Sequence, residues 1–166
     1  VLLNEVAPRP HNTGHYTQNA CIVSQFEHHL RGITGLPLGS TELMVEAAAM
    51  VNVLGKETMA MTLRSSQGAL QELPNASIHW YGKQVNKVGR KMGHINLVAN
   101  SFAELESSLQ RLVELEGIPP SILLPNNNIS SSKKNAKIPA AIAAAARPQL
   151  HAQRGLVVLA GRRARG

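Results

Sequence analysis

The apolar positions divide the chain into short segments of changing period. Val1-Leu2-Leu3-Asn4-Glu5-Val6 is a mostly apolar run with no turn or cap before it, so it reads as a strand cut from something longer and the chain as a fragment. Pro8, Pro10 and Gly14 break regular structure, which predicts a loop dense in polar groups over Ala7 to His15. From Thr17 onward Val23, Phe26, Leu30 and Ile33 recur at spacings of three, four and three, one face of a helix stopped by Gly35 and Pro37. Gln18, Gln25 and Arg31 lie off that face. Ala47 to Leu54, ended by Gly55, reads as a buried strand, although Ala48 and Ala49 tolerate a helical start.

Thr58 to Leu73 is mixed and fits either a helix or an ordered loop around Gly68. Two clearer strands follow, Ala76 to Tyr81 and Lys91 to Val98, joined as a hairpin by the loop Gly82 to Arg90. In the second, Ile95 and Leu97 point to one face and His94 and Asn96 to the other, the alternation of a half-exposed strand. Ser101 precedes Glu104 by three residues, a capping box, and Phe102, Leu105, Leu109 and Leu112 form the apolar stripe of a closing helix that ends at Gly117 and Pro119. Beyond Pro125 the chain turns to Asn126-Asn127-Asn128, Ser130-Ser131-Ser132, Lys133-Lys134, an Ala-rich run and Arg162-Arg163-Ala164-Arg165. That stretch reads as a low-complexity, disordered tail with no packed core.

Composition sharpens this picture at three points. The chain has 166 residues, 43% of them hydrophobic, which fits a globular domain and argues against wholesale disorder. It has no apolar run of membrane-spanning length and no basic-then-apolar leader, so no membrane span and no secretory signal are expected. The single cysteine, Cys21, excludes a disulfide framework and fits a reducing, cytoplasmic compartment. The net charge of +7 belongs to the tail: residues 1–127 carry nine Lys/Arg and ten Glu, whereas residues 128–166 carry eight Lys/Arg and no acid. Aspartate is absent, which removes half of the usual general bases and metal ligands.

Two polar constellations could carry chemistry. Asn4-Glu5 is followed within a few residues by Arg9, His11, Asn12 and His15. A carboxylate with a neighbouring amide oxygen suits magnesium, a guanidinium offers a planar fork to phosphate or bicarbonate, and an imidazole moves protons near neutral pH. The competing reading is a polar surface loop. Zinc on His11, His15 and Cys21 is disfavoured because the spacing matches no metal motif and Cys21 sits among apolar neighbours as a core residue would. The second constellation, Lys83, Lys87, Arg90 and Lys91 among Gly82, Gly89 and Gly93, would focus positive potential at a hairpin tip, or would simply be solvated there. Trp80 and Tyr81 could stack on a base but read more naturally as strand-end core residues.

The string Asn4-Glu5-Val6-Ala7-Pro8-Arg9-Pro10-His11-Asn12-Thr13-Gly14-His15-Tyr16-Thr17, with Ser24-Gln25-Phe26-Glu27 and Leu30-Arg31, resembles the end of the ATP-grasp domain in the ATP-dependent component of phosphoribosylaminoimidazole carboxylases. These are the 5-(carboxyamino)imidazole ribonucleotide synthases of purine biosynthesis. Ala76-Ser77-Ile78-His79-Trp80-Tyr81-Gly82-Lys83 and Gly89-Arg90-Lys91-Met92-Gly93-His94-Ile95-Asn96 resemble the signature strands of that family's small carboxy-terminal domain, so the likeness covers about residues 1–115. It implies an α+β fold: the end of an ATP-grasp domain over residues 1–40, a small antiparallel-sheet domain with a covering helix over 41–120, and the basic tail over 121–166.

It also implies a reaction. ATP and bicarbonate would form carboxyphosphate, whose carbon dioxide is captured by the exocyclic amine of aminoimidazole ribonucleotide. By resemblance Glu5 and Asn4 match the magnesium-holding positions, Arg9, His11, Asn12 and Lys91 the cluster that receives bicarbonate and steadies carboxyphosphate, and Lys83 and Arg90 the holders of the ribonucleotide phosphate. The family logic allows a homodimer in the complete enzyme and predicts that this chain alone is inactive. Val88 stands where the family usually has proline, and the absence of aspartate excludes from this chain the Gly-Ser-Asp-Ser-Asp opening of the carboxylase domain that follows in fungal and plant relatives. The rival readings are a small basic nucleic-acid-binding protein and a non-catalytic relic. The first is weakened because the cations of the tail lie in a segment without aromatics.

Overall fold

The computed structural model describes residues 6–116 and 157–161. At its centre is an antiparallel sheet of strand order β2-β3-β1-β4, formed by β1 (Ala47–Leu54), β2 (Ala76–Trp80), β3 (Lys91–Ala99) and β4 (Val157–Gly161). Four helices accompany it: α1 (Thr17–Ala20), α2 (Gln25–Thr34), α3 (Met59–Glu72) and α4 (Phe102–Glu116). The fold is α+β, as the sequence predicts.

Period two sorts the sheet into two unlike faces. Ala47, Ala49 and Val53 of β1 and Ile95, Leu97 and Ala99 of β3 pack with Ala69 and Leu73 at the α3 end and Leu105 and Leu112 of α4 into the apolar core. Thr58 caps α3 by accepting from the Met61 amide, which resolves the Thr58–Leu73 ambiguity in favour of a helix. The capping box of α4 also forms: Ser101 Oγ accepts from the Glu104 amide at 3.1 Å, and the Glu104 carboxylate accepts from the Asn100 amide at 2.9 Å.

The opposite face carries Met50 and Asn52 of β1 and His94 and Asn96 of β3. These four are buried, which corrects the expectation that His94 and Asn96 face solvent. The cause lies upstream, where the N-terminal segment is laid across this face and held there. Asn96 Nδ2 donates to the His15 carbonyl at 3.0 Å and to Asn19 Oδ1 at 2.6 Å.

That segment contains a second difference from expectation. The single helix read from Thr17 to Ile33 is two, because the chain leaves helical geometry at Cys21, which bridges Leu43: the Ile22 amide donates to the Glu42 carbonyl and the Met44 amide to the Ala20 carbonyl. Ser24 restarts α2 by accepting from the Glu27 amide. Val23 and Cys21 are buried, but Leu30 and Ile33 of the predicted stripe are 59% and 68% exposed.

Residues 126–166 were expected to have no packed partner, and for five of them this is corrected. Val157–Gly161 hydrogen-bonds along β1, from Val51↔Val157 to Ala47↔Gly161. The aliphatic run Leu156-Val157-Val158-Leu159-Ala160 between Gly155 and Gly161 is a strand signal in itself, and β1 offers it an open edge. The rest of the predicted tail lies outside the described residues.

Candidate anion site on the polar face of the sheet

Gln25 fixes the segment that carries the first constellation. Its Nε2 donates to the His11 carbonyl (2.8 Å) and to His15 Nδ1 (2.7 Å), while its Oε1 accepts from the His11 amide (2.9 Å). The contact requires Gly14, where a Cβ would stand 2.4 Å from Gln25 Oε1. With the segment clamped, His11 caps the 3-10 turn Asn12–Gly14 through Nδ1, which accepts from the Thr13 amide. In the neutral ring that leaves the proton on Nε2.

Asn12 then reaches the sheet. Its Nδ2 donates to Asn52 Oδ1 at 3.0 Å, and its Oδ1 accepts from Lys91 Nζ at 2.6 Å. Lys83 turns inward beside Lys91, donating from Nζ to the Lys91 carbonyl at 2.5 Å with its ammonium 5.2 Å from the centre of the Tyr81 ring. Burial, then the charges of Arg9 and Lys83, hold the Lys91 ammonium below the ordinary lysine range. Arg9 donates to the Pro10 carbonyl at 3.1 Å. Arg9 and Lys83 thus lie near enough for their charges to act on Lys91, and among the described residues the hydrogen bonds these three side chains make are to neutral oxygens.

Beneath them lies a stack of imidazoles. His94 stands 4.5 Å from His79 and 4.9 Å from His15, centre to centre, and its Nδ1 meets the Tyr81 hydroxyl at 2.8 Å. Burial first, and then His79 and His15, push the His94 pKa down to about 3, so the ring is neutral at physiological pH. His15 is lowered by burial and then by Lys91, His11, His79 and Arg9, and His79 by burial. Cationic donors above and neutral rings below make a floor suited to an anion.

The loop between β2 and β3 is no free hairpin tip. Gly55 lies so close that a Cβ there would meet the Lys87 carbonyl at 2.2 Å, and Asn86 bridges the Thr62 hydroxyl (3.0 Å) and the Lys56 carbonyl (2.9 Å). Folding back in this way separates the basic residues: Lys83 and Lys91 face the site, whereas exposed Arg90 donates to the Val85 carbonyl at 3.2 Å and Lys87 is exposed. Of the expected site residues, Arg9, His11, Asn12, Lys83 and Lys91 are therefore brought together and Arg90 is not. The expected metal ligands Asn4 and Glu5 lie outside the described residues. No group of three potential metal-ligating side chains occurs among the described ones, zinc on His11, His15 and Cys21 included. Trp80 is 37% exposed and packs over Gly93. The sequence reading missed Gln25, Asn52 and the His79–His94 pair; the polar Asn52 within the apolar run of β1 was the available signal.

Comparison with known proteins matches this architecture in two steps. Residues 1–26 match the ATP-grasp domain. Residues 48–108, which hold nearly all of β1, then α3, β2, β3 and the start of α4, match the phosphoribosylaminoimidazole carboxylase C-terminal domain family. The chloroplastic phosphoribosylaminoimidazole carboxylase of Vigna aconitifolia is 44% identical over 121 residues, 71% of this chain and 22% of that protein. The N5-carboxyaminoimidazole ribonucleotide synthase of Synechococcus elongatus is 46% identical over 121 residues, 71% of this chain and 31% of that protein. The crystal structure of the Aspergillus clavatus carboxyaminoimidazole ribonucleotide synthase complexed with ATP superposes with a TM-score of 0.61 at 41% identity, covering 66% of this chain and 28% of that one. A second structure of that synthase, in complex with ADP and 5-aminoimidazole ribonucleotide, gives 0.60 at 40% identity, with 64% and 28% covered. The chain therefore spans less than a third of the length of these relatives.

Proposed function

We propose that this chain supplies the anion-handling side of an active site that uses ATP and bicarbonate to carboxylate aminoimidazole ribonucleotide. The observation that carries the reading is the convergence of Arg9, Lys83 and Lys91 with Asn12 on one polar sheet face, over imidazoles held neutral. Phosphoryl and carboxyl transfer through an anionic intermediate needs fixed positive charge more than a nucleophilic side chain. Arg9 and Lys91 hold bicarbonate and then carboxyphosphate, Asn12 and the Nε2 proton of His11 orient it, and Lys83 with Arg90 receives the ribonucleotide phosphate. The inward turn of Lys83 supports its part in this; Arg90 would have to leave Val85 to join.

Magnesium, when bound with ATP, neutralises the phosphate oxygens. Asn4 and Glu5 are the residues we assign to it from the sequence likeness. Residues 1–40 act as the ATP-grasp end and 41–120 as the small domain. The exposed Leu30, Ile33, Leu36 and Leu38 support burial against further protein in the complete enzyme, a homodimer included. No helix among the described residues is long and apolar enough to cross a membrane, and the lone cysteine supports a reducing compartment, the cytoplasm or, as the name of the Vigna relative has it, the chloroplast.

The test is a chimera in which residues 1–116 replace the matching part of a full-length N5-carboxyaminoimidazole ribonucleotide synthase. Retained ribonucleotide-dependent phosphate release from ATP in the presence of bicarbonate is expected. A folded chimera without it would reject the assignment.

A further inference from the structure

The carboxamide of Asn12 can be turned two ways, and only one presents oxygen to Lys91. Lys91 is a donor with no acceptor capacity, so its 2.6 Å contact requires Asn12 Oδ1 on that side and sends Nδ2 the other way. There Nδ2 meets Asn52 Oδ1 at 3.0 Å, the oxygen rather than the nitrogen of a second carboxamide. Asn52 in turn is 5% exposed in the middle of β1, opposite His94 in the register, and its own Nδ2 is buried with no hydrogen-bond partner among the described residues. A buried, unpaired donor destabilises a fold, and an apolar residue of the same size would pack on this strand without that cost. The position is therefore not explained by stability.

We infer that Asn52 is a positioning residue for the Asn12–Lys91 pair: by accepting from Asn12 Nδ2 it locks the Asn12 oxygen toward the Lys91 ammonium and so sets where that ammonium stands. Its functional consequence rests on the reading of this cluster as an anion site, but its structural content does not. With Asn52 present the ammonium has a fixed acceptor on one side and keeps its remaining protons for a bound anion. Without it Lys91 alone orients the Asn12 carboxamide, which loses its anchor on the sheet and holds the ammonium less firmly.

The experiment is titration of the lysine ε-carbons by NMR in the complete 166-residue chain, with Lys91 assigned through Lys91→Arg. Lys91 already titrates below ordinary lysines. In Asn52→Ala and in the near-isosteric Asn52→Leu, which keeps the strand filled and removes the unpaired donor, its midpoint should fall by about one pH unit further, the size of a weakened charge-assisted hydrogen bond. In an Asn12→Ala background the same substitutions should move it no further, because the coupling runs through Asn12. Wild-type titration in a folded Asn52→Leu chain would overturn the inference, as would a shift that persists unchanged in the Asn12→Ala background. Inorganic phosphate and bicarbonate are added separately to the wild-type chain. A missing Lys91 response to both would count against the anion site, and the titration would still decide the role of Asn52.

Discussion

Asn12 and Lys91 stand 79 residues apart in the chain and are joined by a 2.6 Å hydrogen bond from the ammonium to the amide oxygen. The bond ties the segment matched to the ATP-grasp domain to the first residue of β3, in the segment matched to the C-terminal domain. Both families of residues are thus needed to build one site, and variants on either side of the bond should report on it differently.

The kinetic prediction separates Lys91 from the loop cation Arg90. In the chimera Lys91→Ala should lower turnover on the order of a hundredfold, comparable to the loss of one preorganised oxyanion donor. Arg90→Ala should instead raise the ribonucleotide KM with little change in kcat, as expected of a remote binding contact. Steady-state rates at varied ribonucleotide decide the matter. Equal, small effects of both would mean that neither meets the reacting group.

A second prediction concerns pH. The folded His94 titrates at about 3, well below the ordinary imidazole value of 6.5, and His15 and His79 are lowered as well. Between those limits the unfolded chain binds protons that the folded one refuses. Stability is therefore fully present above about pH 6.5 and is lost as pH falls, by about 1.4 kcal/mol per pH unit for each withheld proton. Urea midpoints at neutral and mildly acidic pH should show this loss, and His94→Gln should reduce it. An unchanged slope in that variant would mean that His94 is not part of it.

Gly32 within α2 and Gly35 at its C-cap should respond to the same substitution with opposite sign. Gly32 lies within the helix with nothing within 4 Å of a built Cβ, so Gly32→Ala should stabilise by about 0.4–1 kcal/mol. Gly35 ends the helix at φ 71°, and Gly35→Ala should destabilise by about 1 kcal/mol. Thermal denaturation of the two variants is the check.

The edge strand gives a fourth expectation. A chain cut after Pro125 loses β4, and with it the ladder along β1 from Ala47 to Val51. It should melt at a lower temperature than the full chain, and the β1 amides that faced β4 should exchange faster with solvent. Equal melting and unchanged exchange would show that β4 contributes nothing.

Much of this was legible because local pattern and tertiary outcome agree. The apolar run of β1, the β2–β3 hairpin and the capped α4 are each specified by residues within a few positions of one another. The helix break at Cys21 is not, since it is made by pairing with residues 42–44, outside any window that reads period 3.6. The burial of His94 and Asn96 likewise depends on a segment some eighty residues upstream. The likeness of motifs named Asn12 and Lys91 together, which spacing alone could not have done. It also grouped Lys83 with Arg90, and only the docking of the loop on Gly55 shows that their side chains diverge.

The position of β4 has a kinetic consequence. Its pairing with β1 joins residues more than a hundred positions apart, whereas β1, β3 and β2 lie within about fifty. Closing the longer loop costs more chain entropy, so the inner three strands can assemble on α3 and α4 first and the fourth adds afterwards. In that interval β1 presents a bare row of backbone donors and acceptors, and a second molecule of the same chain can bring its own Val157–Gly161 to it as readily as the first. Refolding at high concentration would then yield exchanged dimers, and dilute refolding the closed monomer.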